Sequence, residues 1–431
     1  MRPHHTLDQH PETVARVAVV GSGVAGMVAA WCAADRGAEV TVVDPHPPGG
    51  RAQVDHRNGF TFNRGPRALY WRGPARRTLR SLGIELRGGR PATDGAAALA
   101  GGELHPLPTG LATLARTTLL ASGERRMVAR LLAGAARATA PADQSLAGWL
   151  DARSAAGRPR ELVEALVRLA TYADVPEELP ASVALRAVRN ASSTGVRYLD
   201  GGFATIVDQL RRGLAERSVT VLTDRVDQVA PLGAGFALVT SGGELRTDAV
   251  VLASGGPATA ARLLGGLPRS WPQLGPPARA ACLELGVARV PERRFVVGID
   301  EPLYLSVHSP PARLAPEGSA VVHVMRYRSP GDSLGHAETR DRLEALAAQA
   351  GIVPADIVEQ RYLHDLEVTG ALPTVHAGGM TARVPVAVGE LPGAFLAGDW
   401  VGAEGLLVDA AVASAASAGR QAAAWRGAVV R

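Results

Sequence analysis

The first chemistry legible in this chain is phosphate binding by backbone. Gly21-Ser22-Gly23-Val24-Ala25-Gly26 follows an apolar run rich in β-branched residues (14–20) and opens a helical pattern that extends from Val24 to Arg36. Gly21 permits a tight turn, Gly23 lets the backbone approach a pyrophosphate with no Cβ in the way, and Gly26 lets the helix pack close to the strand. The helix start at Val24 and Ala25 offers unpaired N–H groups and the positive end of a dipole. A second strand pattern, AEVTVVD, ends on Asp44, placed to accept hydrogen bonds from ribose hydroxyls. Strand, loop, helix, strand and acid stand in register and specify a dinucleotide. They do not separate FAD from NAD.

The next residues, PHPPGGRAQVDHRNGFTFNRGPRALY (45–70), resemble the segment that follows the second strand in the phytoene desaturase, protoporphyrinogen oxidase and amine oxidase superfamily of flavoproteins. The resemblance implies that Gly49, Gly50 and Arg51 contact FAD, with the arginine near the pyrophosphate and ribityl chain. It also implies that a hairpin ending at Gly65-Pro66 reaches the flavin ring. Far downstream, LPGAFLAGDW (391–400) and GLLVDAAVASAASAGRQAA (405–423) resemble the superfamily's C-terminal FAD motif. There Gly398-Asp399 binds a ribityl hydroxyl, and the helix start at Gly405 and Leu406 faces the flavin N1/O2 edge. A helix N-terminus stabilises the negative charge that a reduced flavin carries near N1. A softer likeness over 195–262 implies that the Val226 backbone grips the adenine. By themselves Gly49-Gly50 would be a turn, Arg51 a solvated charge and Val226 core.

Substrate-side candidates come from strand alternation. In Leu303–His308, Tyr304, Ser306 and His308 share one face; in Val321–Tyr327, His323, Met325 and Tyr327 do. Such a sheet, turned toward the flavin, would give a mainly apolar pocket with a few polar handles. Tyr304 and His308 are thus candidates for catalysis, and all of Tyr304, His308, His323 and Tyr327 for substrate contact. Arg67, directly after Gly65-Pro66, is a further catalytic candidate, because a cation beside the flavin could orient or discharge a substrate. Each of these has an ordinary structural reading too: a satisfied core side chain, or for Arg67 a surface salt bridge.

The elements that position these residues define an α/β fold: a Rossmann-like FAD-binding domain of the glutathione-reductase-like type with an inserted α+β substrate domain. The FAD-type motifs fall in three blocks, so that domain is expected to be discontinuous, 12–92, 196–265 and 372–431. The stretches 93–195, mostly helical, and 266–371, read as antiparallel strands, build the substrate domain, and 1–11 is a loose tail. With 431 residues and 46% hydrophobic content, the chain suits two domains and not a disordered polymer. The net charge is +5, yet every basic residue is arginine and these are dispersed, which argues against a nucleic-acid surface. The absence of lysine excludes Schiff-base catalysis and any lysine-assisted flavin chemistry. Cys32 and Cys282 read as buried free thiols; their spacing suggests no metal site, and no cysteine stands near the C-terminal motif to tether a flavin.

The reading is an FAD-dependent oxidoreductase, closest to phytoene-dehydrogenase-like proteins, with FAD held non-covalently and a small-molecule substrate giving a hydride to flavin N5. Oxygen, a quinone or another acceptor would reoxidise it, since one dinucleotide fingerprint leaves no second site for NAD(P)H. Alternatives are amine-oxidase-type C–N oxidation, a redox-neutral isomerase or mutase, and a non-catalytic binder of prenyl groups or partner proteins. No signal peptide or spanning segment is evident, so the chain reads as cytoplasmic. The resemblance adds a peripheral membrane contact through the first insert as a minor expectation. Nothing in the sequence bears on oligomeric state.

Overall fold

A computed structural model describes residues 14–137, 141, 143–193 and 195–426; the expected tail at 1–11 lies outside the described residues. Five short strands form a parallel sheet in the order Thr220–Leu222, Glu39–Val43, Arg16–Val20, Ala249–Leu252 and Ala394–Leu396. The two central strands are buried on both faces, which explains their nearly unbroken Val/Ala/Leu composition. Helices Val24–Ala34 and Leu407–Ala424 pack on one face. Their small residues allow close approach: a Cβ on Gly419 would collide with the Ala29 backbone. The other face carries the meander Val226–Leu232, Gly235–Thr240, Gly243–Thr247 and the helix Pro257–Leu263. From the Arg16–Val20 strand the sheet grows one way, and from Ala249–Leu252 the other. A crevice at the carboxyl ends of the strands follows from that reversal.

The second unit is a seven-stranded mixed sheet in the order Ile357–Thr369, Ala278–Val287, Ala320–Arg328, Leu303–Val307, Phe295–Gly298, Ala97–Ala100 and Glu103–Pro106. Only the contact between Phe295–Gly298 and Ala97–Ala100 is parallel. The expected alternation holds. Leu303, Leu305 and Val307 face the helix His336–Gln349, while Tyr304, Met325 and Tyr327 face the helical insert, including Gly157–Thr171. That insert is helical as expected, except that its hairpin Ala97–Pro106 crosses to complete the sheet. Its alanine-rich strand has little β propensity, so pairing and not local preference makes it a strand. The result is a two-domain α/β arrangement, a Rossmann-like parallel sheet with an inserted mixed-sheet domain. Among the described residues no helix is long and apolar enough to cross a membrane.

Candidate active site

A cavity of about 440 Å³, within the range of small-molecule sites, opens at the carboxyl ends of the parallel strands. At one end its wall is mostly backbone. Gly21 has φ 108°, and a Cβ there would stand 2.7 Å from the Ala253 carbonyl oxygen. Gly26 sits behind the wall, where a Cβ would collide with the Gly21 carbonyl oxygen. At Gly23 the Cβ direction is open, with nothing within 4 Å, and Gly23, Val24 and Ala25 line the cavity at the helix start. Asp44 is held at the rim: one carboxylate oxygen accepts from the Ser22 N–H (2.6 Å) and hydroxyl (2.8 Å), the other from the His46 N–H (2.9 Å). Gly49, Gly50 and Val226 complete this end, with Gly49 donating to the Ser22 carbonyl (2.9 Å).

At the other end side chains dominate. Arg51 Nη1 pairs with Asp399 Oδ2 at 2.8 Å and also donates to the Val368 carbonyl at 3.2 Å. Asp399 is buried, and its other oxygen accepts from the Gly370 N–H (3.1 Å). Arg51 and Asp399 stand 348 positions apart in the chain, and their contact brings the N-terminal and C-terminal motifs into one wall. Arg67 donates through Nη2 to the Arg51 carbonyl (3.0 Å), while its buried Nε has no partner. Burial, with the Arg51 charge beside it, lowers the Arg67 guanidinium to about 10. The segment carrying it is fastened twice: Gly65 N–H donates to Glu284 Oε1 (2.7 Å), and Tyr172 Oη donates to the Pro66 carbonyl (3.1 Å). Glu284 is fully buried and its second oxygen pairs with Arg361.

Most of the anticipated dinucleotide residues therefore meet in one cavity. Gly65 lies behind the wall, as Gly26 does; Gly405 and Leu406 lie off it, and Leu407, Val408 and Ala411 take their place because the last helix begins at Leu407. The substrate-side row needs a larger correction. Tyr304, His308, His323 and Tyr327 are all buried and none lines the cavity. Tyr198 stacks on His308 with ring centroids 3.6 Å apart, and Tyr172 meets Tyr327 edge-on, closing that face of the sheet. Burial, with His323 beside it, pushes the His308 imidazole well below its usual pKa, so it stays neutral. Arg67 is no surface salt bridge; it lines the cavity.

Three features escaped the sequence. Tyr172 lines the cavity in the left-handed conformation (φ 60°) at the end of Gly157–Thr171, and nothing in the local pattern marks it. The loop Ala253–Gly255 forms a second turn at the crevice, for which the Gly-Gly after an apolar strand was a usable signal. Folding also brings Cys282, Glu284 and His323 together, since β-pairing sets Glu284 opposite His323; Cys282 Sγ lies 3.9 Å from His323 Nδ1. Linear cysteine spacing could not show that cluster.

The family described as flavin containing amine oxidoreductase matches residues 24–290. This chain belongs to that family. It is accordingly a flavin-dependent oxidoreductase acting on a small-molecule substrate, and the cofactor expected of the family is FAD. Among curated proteins, coproporphyrinogen III oxidase from Propionibacterium freudenreichii subsp. freudenreichii is 33% identical over 108 residues, 23% of this chain and only 20% of that protein. Among solved structures, an oxidoreductase from Methanosarcina mazei superposes with a TM-score of 0.73 at 17% identity, covering 93% of this chain and 99% of that one. Cyclohexylamine oxidase from Brevibacterium oxydans IH-35A gives 0.66 at 17% identity, covering 95% and 98%. At such identities the likeness is one of fold. The family match supports membership in the amine oxidase and protoporphyrinogen oxidase superfamily and does not single out phytoene dehydrogenases.

The cavity fits FAD on its own terms. The open Cβ direction at Gly23 leaves room beside a helix N-terminus, where phosphates bind. Asp44 supplies acceptors at one end, and Asp399 supplies one at the other.

Proposed function

We propose that this enzyme dehydrogenates or desaturates a small biosynthetic intermediate, with FAD held non-covalently along the cavity from Asp44 to Arg67. The observation that carries the reading is the Arg51–Asp399 ion pair, because it joins both resembled FAD motifs on one wall. Among the described residues no cysteine lines that wall, which supports a non-covalent cofactor. The proposed contacts are Gly21, Gly23, Val24, Ala25, Asp44, Gly49, Gly50, Arg51, Pro66, Val226, Gly398 and Asp399. Gly26, Gly65, Gly405 and Leu406 shape the wall from behind or beside it. The proposed domain boundaries remain 12–92, 196–265 and 372–431 for the FAD-binding domain, with 93–195 and 266–371 inserted.

Bound flavin would supply the hydride acceptor. The chain's own residues do the rest. Asp44 and Asp399 accept hydrogen bonds from hydroxyls, and the start of Leu407–Ala424 presents positive dipole potential to the cavity. Tyr172, Pro66 and Ala68 contribute apolar surface that excludes water at the Arg67 end. Arg67 orients the substrate from a fixed backbone segment. A phytoene-dehydrogenase-like desaturation of an apolar substrate is the finer form of this reading.

The test is anaerobic mixing of the FAD-loaded protein with candidate metabolites, followed by flavin absorbance and product mass. Bleaching with loss of two hydrogens from the product is expected. Conversion with no mass change and no net bleaching would instead establish redox-neutral chemistry. A protein that takes up no FAD would sink the reading altogether.

A further inference from the structure

The charge balance at the Arg67 end is unequal. Arg51 is neutralised by Asp399, and Arg383 is held by the carbonyls of Asp399 and Gly405 with its Nε buried and unpartnered. Glu284, the nearest buried carboxylate on the substrate sheet, is paired with Arg361 and accepts from Gly65. Arg67 has no carboxylate within ion-pair distance among the described residues, and its only hydrogen bond there is to the Arg51 carbonyl. Three arginines thus gather around one buried carboxylate, and of the two left without an ion pair, Arg67 and Arg383, Arg67 is the one that lines the cavity. A guanidinium has five N–H donors in a planar fork suited to a carboxylate or phosphate. Holding one away from water without an anion is costly, and an incoming anion relieves that cost.

From this, and given the reading that FAD fills the cavity, we infer that Arg67 receives an anionic oxygen group, a carboxylate, on the substrate. The segment is built to hold the fork still. Glu284 fixes Gly65, Tyr172 fixes Pro66, and Arg51 takes one Nη2 hydrogen, leaving Nε unpartnered. An ammonium at the same place would meet the unpaired Arg67, so the site selects against amine cations, although a protein of similar fold is a cyclohexylamine oxidase. The anion could have a second source, the reduced flavin itself, and the test separates the two.

FAD content of the wild type and of Arg67→Gln and Arg67→Lys is measured first. Each FAD-loaded protein is then titrated with benzoate, with benzamide (the same shape without charge) and with benzylamine, read by perturbation of the flavin spectrum. Benzoate is expected to bind the wild type at least tenfold more tightly than benzamide or benzylamine. Its dissociation constant should rise about 30-fold in Arg67→Gln and by less in Arg67→Lys, since a charge-assisted contact is lost in one and weakened in the other. If FAD loads and benzoate binds no better than benzamide, or equally well to Arg67→Gln, the inference is overturned while the functional reading stands. A shift of the flavin midpoint potential in Arg67→Gln with benzoate binding unchanged also overturns it, since the anion is then the flavin's own. Failure of the wild type to load FAD removes the reading on which the inference rests.

Discussion

The two ends of the cavity are made of different material. Around Gly21–Ala25, Gly49 and Gly50 the wall is backbone, shaped by glycines whose absent Cβ atoms define the space. Around Arg51, Arg67, Tyr172 and Asp399 it is side chain, assembled from segments up to 348 positions apart. Backbone sites need particular residue types at short fixed spacing, so they leave a written signature. Side-chain sites depend on which distant elements pack together, and their residues carry no local mark.

The largest effect expected from breaking the comparison is at the junction. Asp399→Ala removes the Arg51 ion pair and the bond from Gly370, and should cost about 1.5–3 kcal/mol in the FAD-free protein. FAD affinity should fall tenfold or more, whereas Asp399→Asn, which can keep the Gly370 bond, should lose less. Denaturant unfolding and flavin retention on gel filtration measure both. A variant with unchanged stability and flavin content would show that the two motifs do not depend on each other.

A similar effect of opposite sign is expected at Asp409, where two helices meet. Its carboxylate lies in the first turn of Leu407–Ala424 and accepts from the Ala75 N–H (2.9 Å) at the start of Pro74–Ser81; a Cβ on Gly73 would collide with it. Burial raises its carboxyl to about 6, with Arg77 opposing and Glu404 reinforcing. Tyr70 lies near it. An acid whose folded pKa is raised holds its proton longer when folded, so stability falls as pH rises from about 4 to 6 and then levels off. Asp409→Asn can keep the Ala75 bond without the charge. It should therefore stabilise the FAD-free protein by up to about 3 kcal/mol above pH 6, and not at all near pH 4. Equal unfolding free energies for both proteins at pH 8 would refute this.

The smallest effects sharpen the contrast inside the side-chain end. Tyr172→Phe removes the donor to the Pro66 carbonyl beside the cavity and should change turnover about two- to tenfold. Tyr304→Phe, one layer deeper, should leave turnover within about twofold, because its hydroxyl bonds to Ser306 and Tyr198 within the sheet face and does not line the cavity. Steady-state kinetics on matched FAD-loaded samples would decide. A larger effect at Tyr304 would restore the row that alternation first suggested.

That row shows where sequence reasoning stops. Period-two alternation correctly put Tyr304, Ser306 and His308 on one face and Leu303, Leu305 and Val307 on the other. It could not say what covers the face, and Tyr198 and Tyr172 come from segments with no pattern pointing there. The parallel sheet, the glycine turn and the closing helix were legible because each carries its own composition and spacing. The Ala97–Pro106 hairpin was not, because its strand exists only through pairing with Phe295–Gly298. Tyr172, left-handed at a helix end, was hidden for the same reason: its role comes from contact with Pro66, over a hundred positions away.

The most direct test of the account is flavin content in a pair of glycine variants, since the two stand three positions apart at the start of one helix with opposite surroundings. A side chain at Gly23 enters open cavity, whereas one at Gly26 enters the Gly21 carbonyl. Gly23→Val should fold with the unfolding midpoint of the FAD-free wild type and hold no FAD. Gly26→Val should lose fold and flavin together, while the wild type takes up stoichiometric FAD. A folded Gly23→Val protein with full flavin absorbance would contradict the claim that this cavity is the cofactor site.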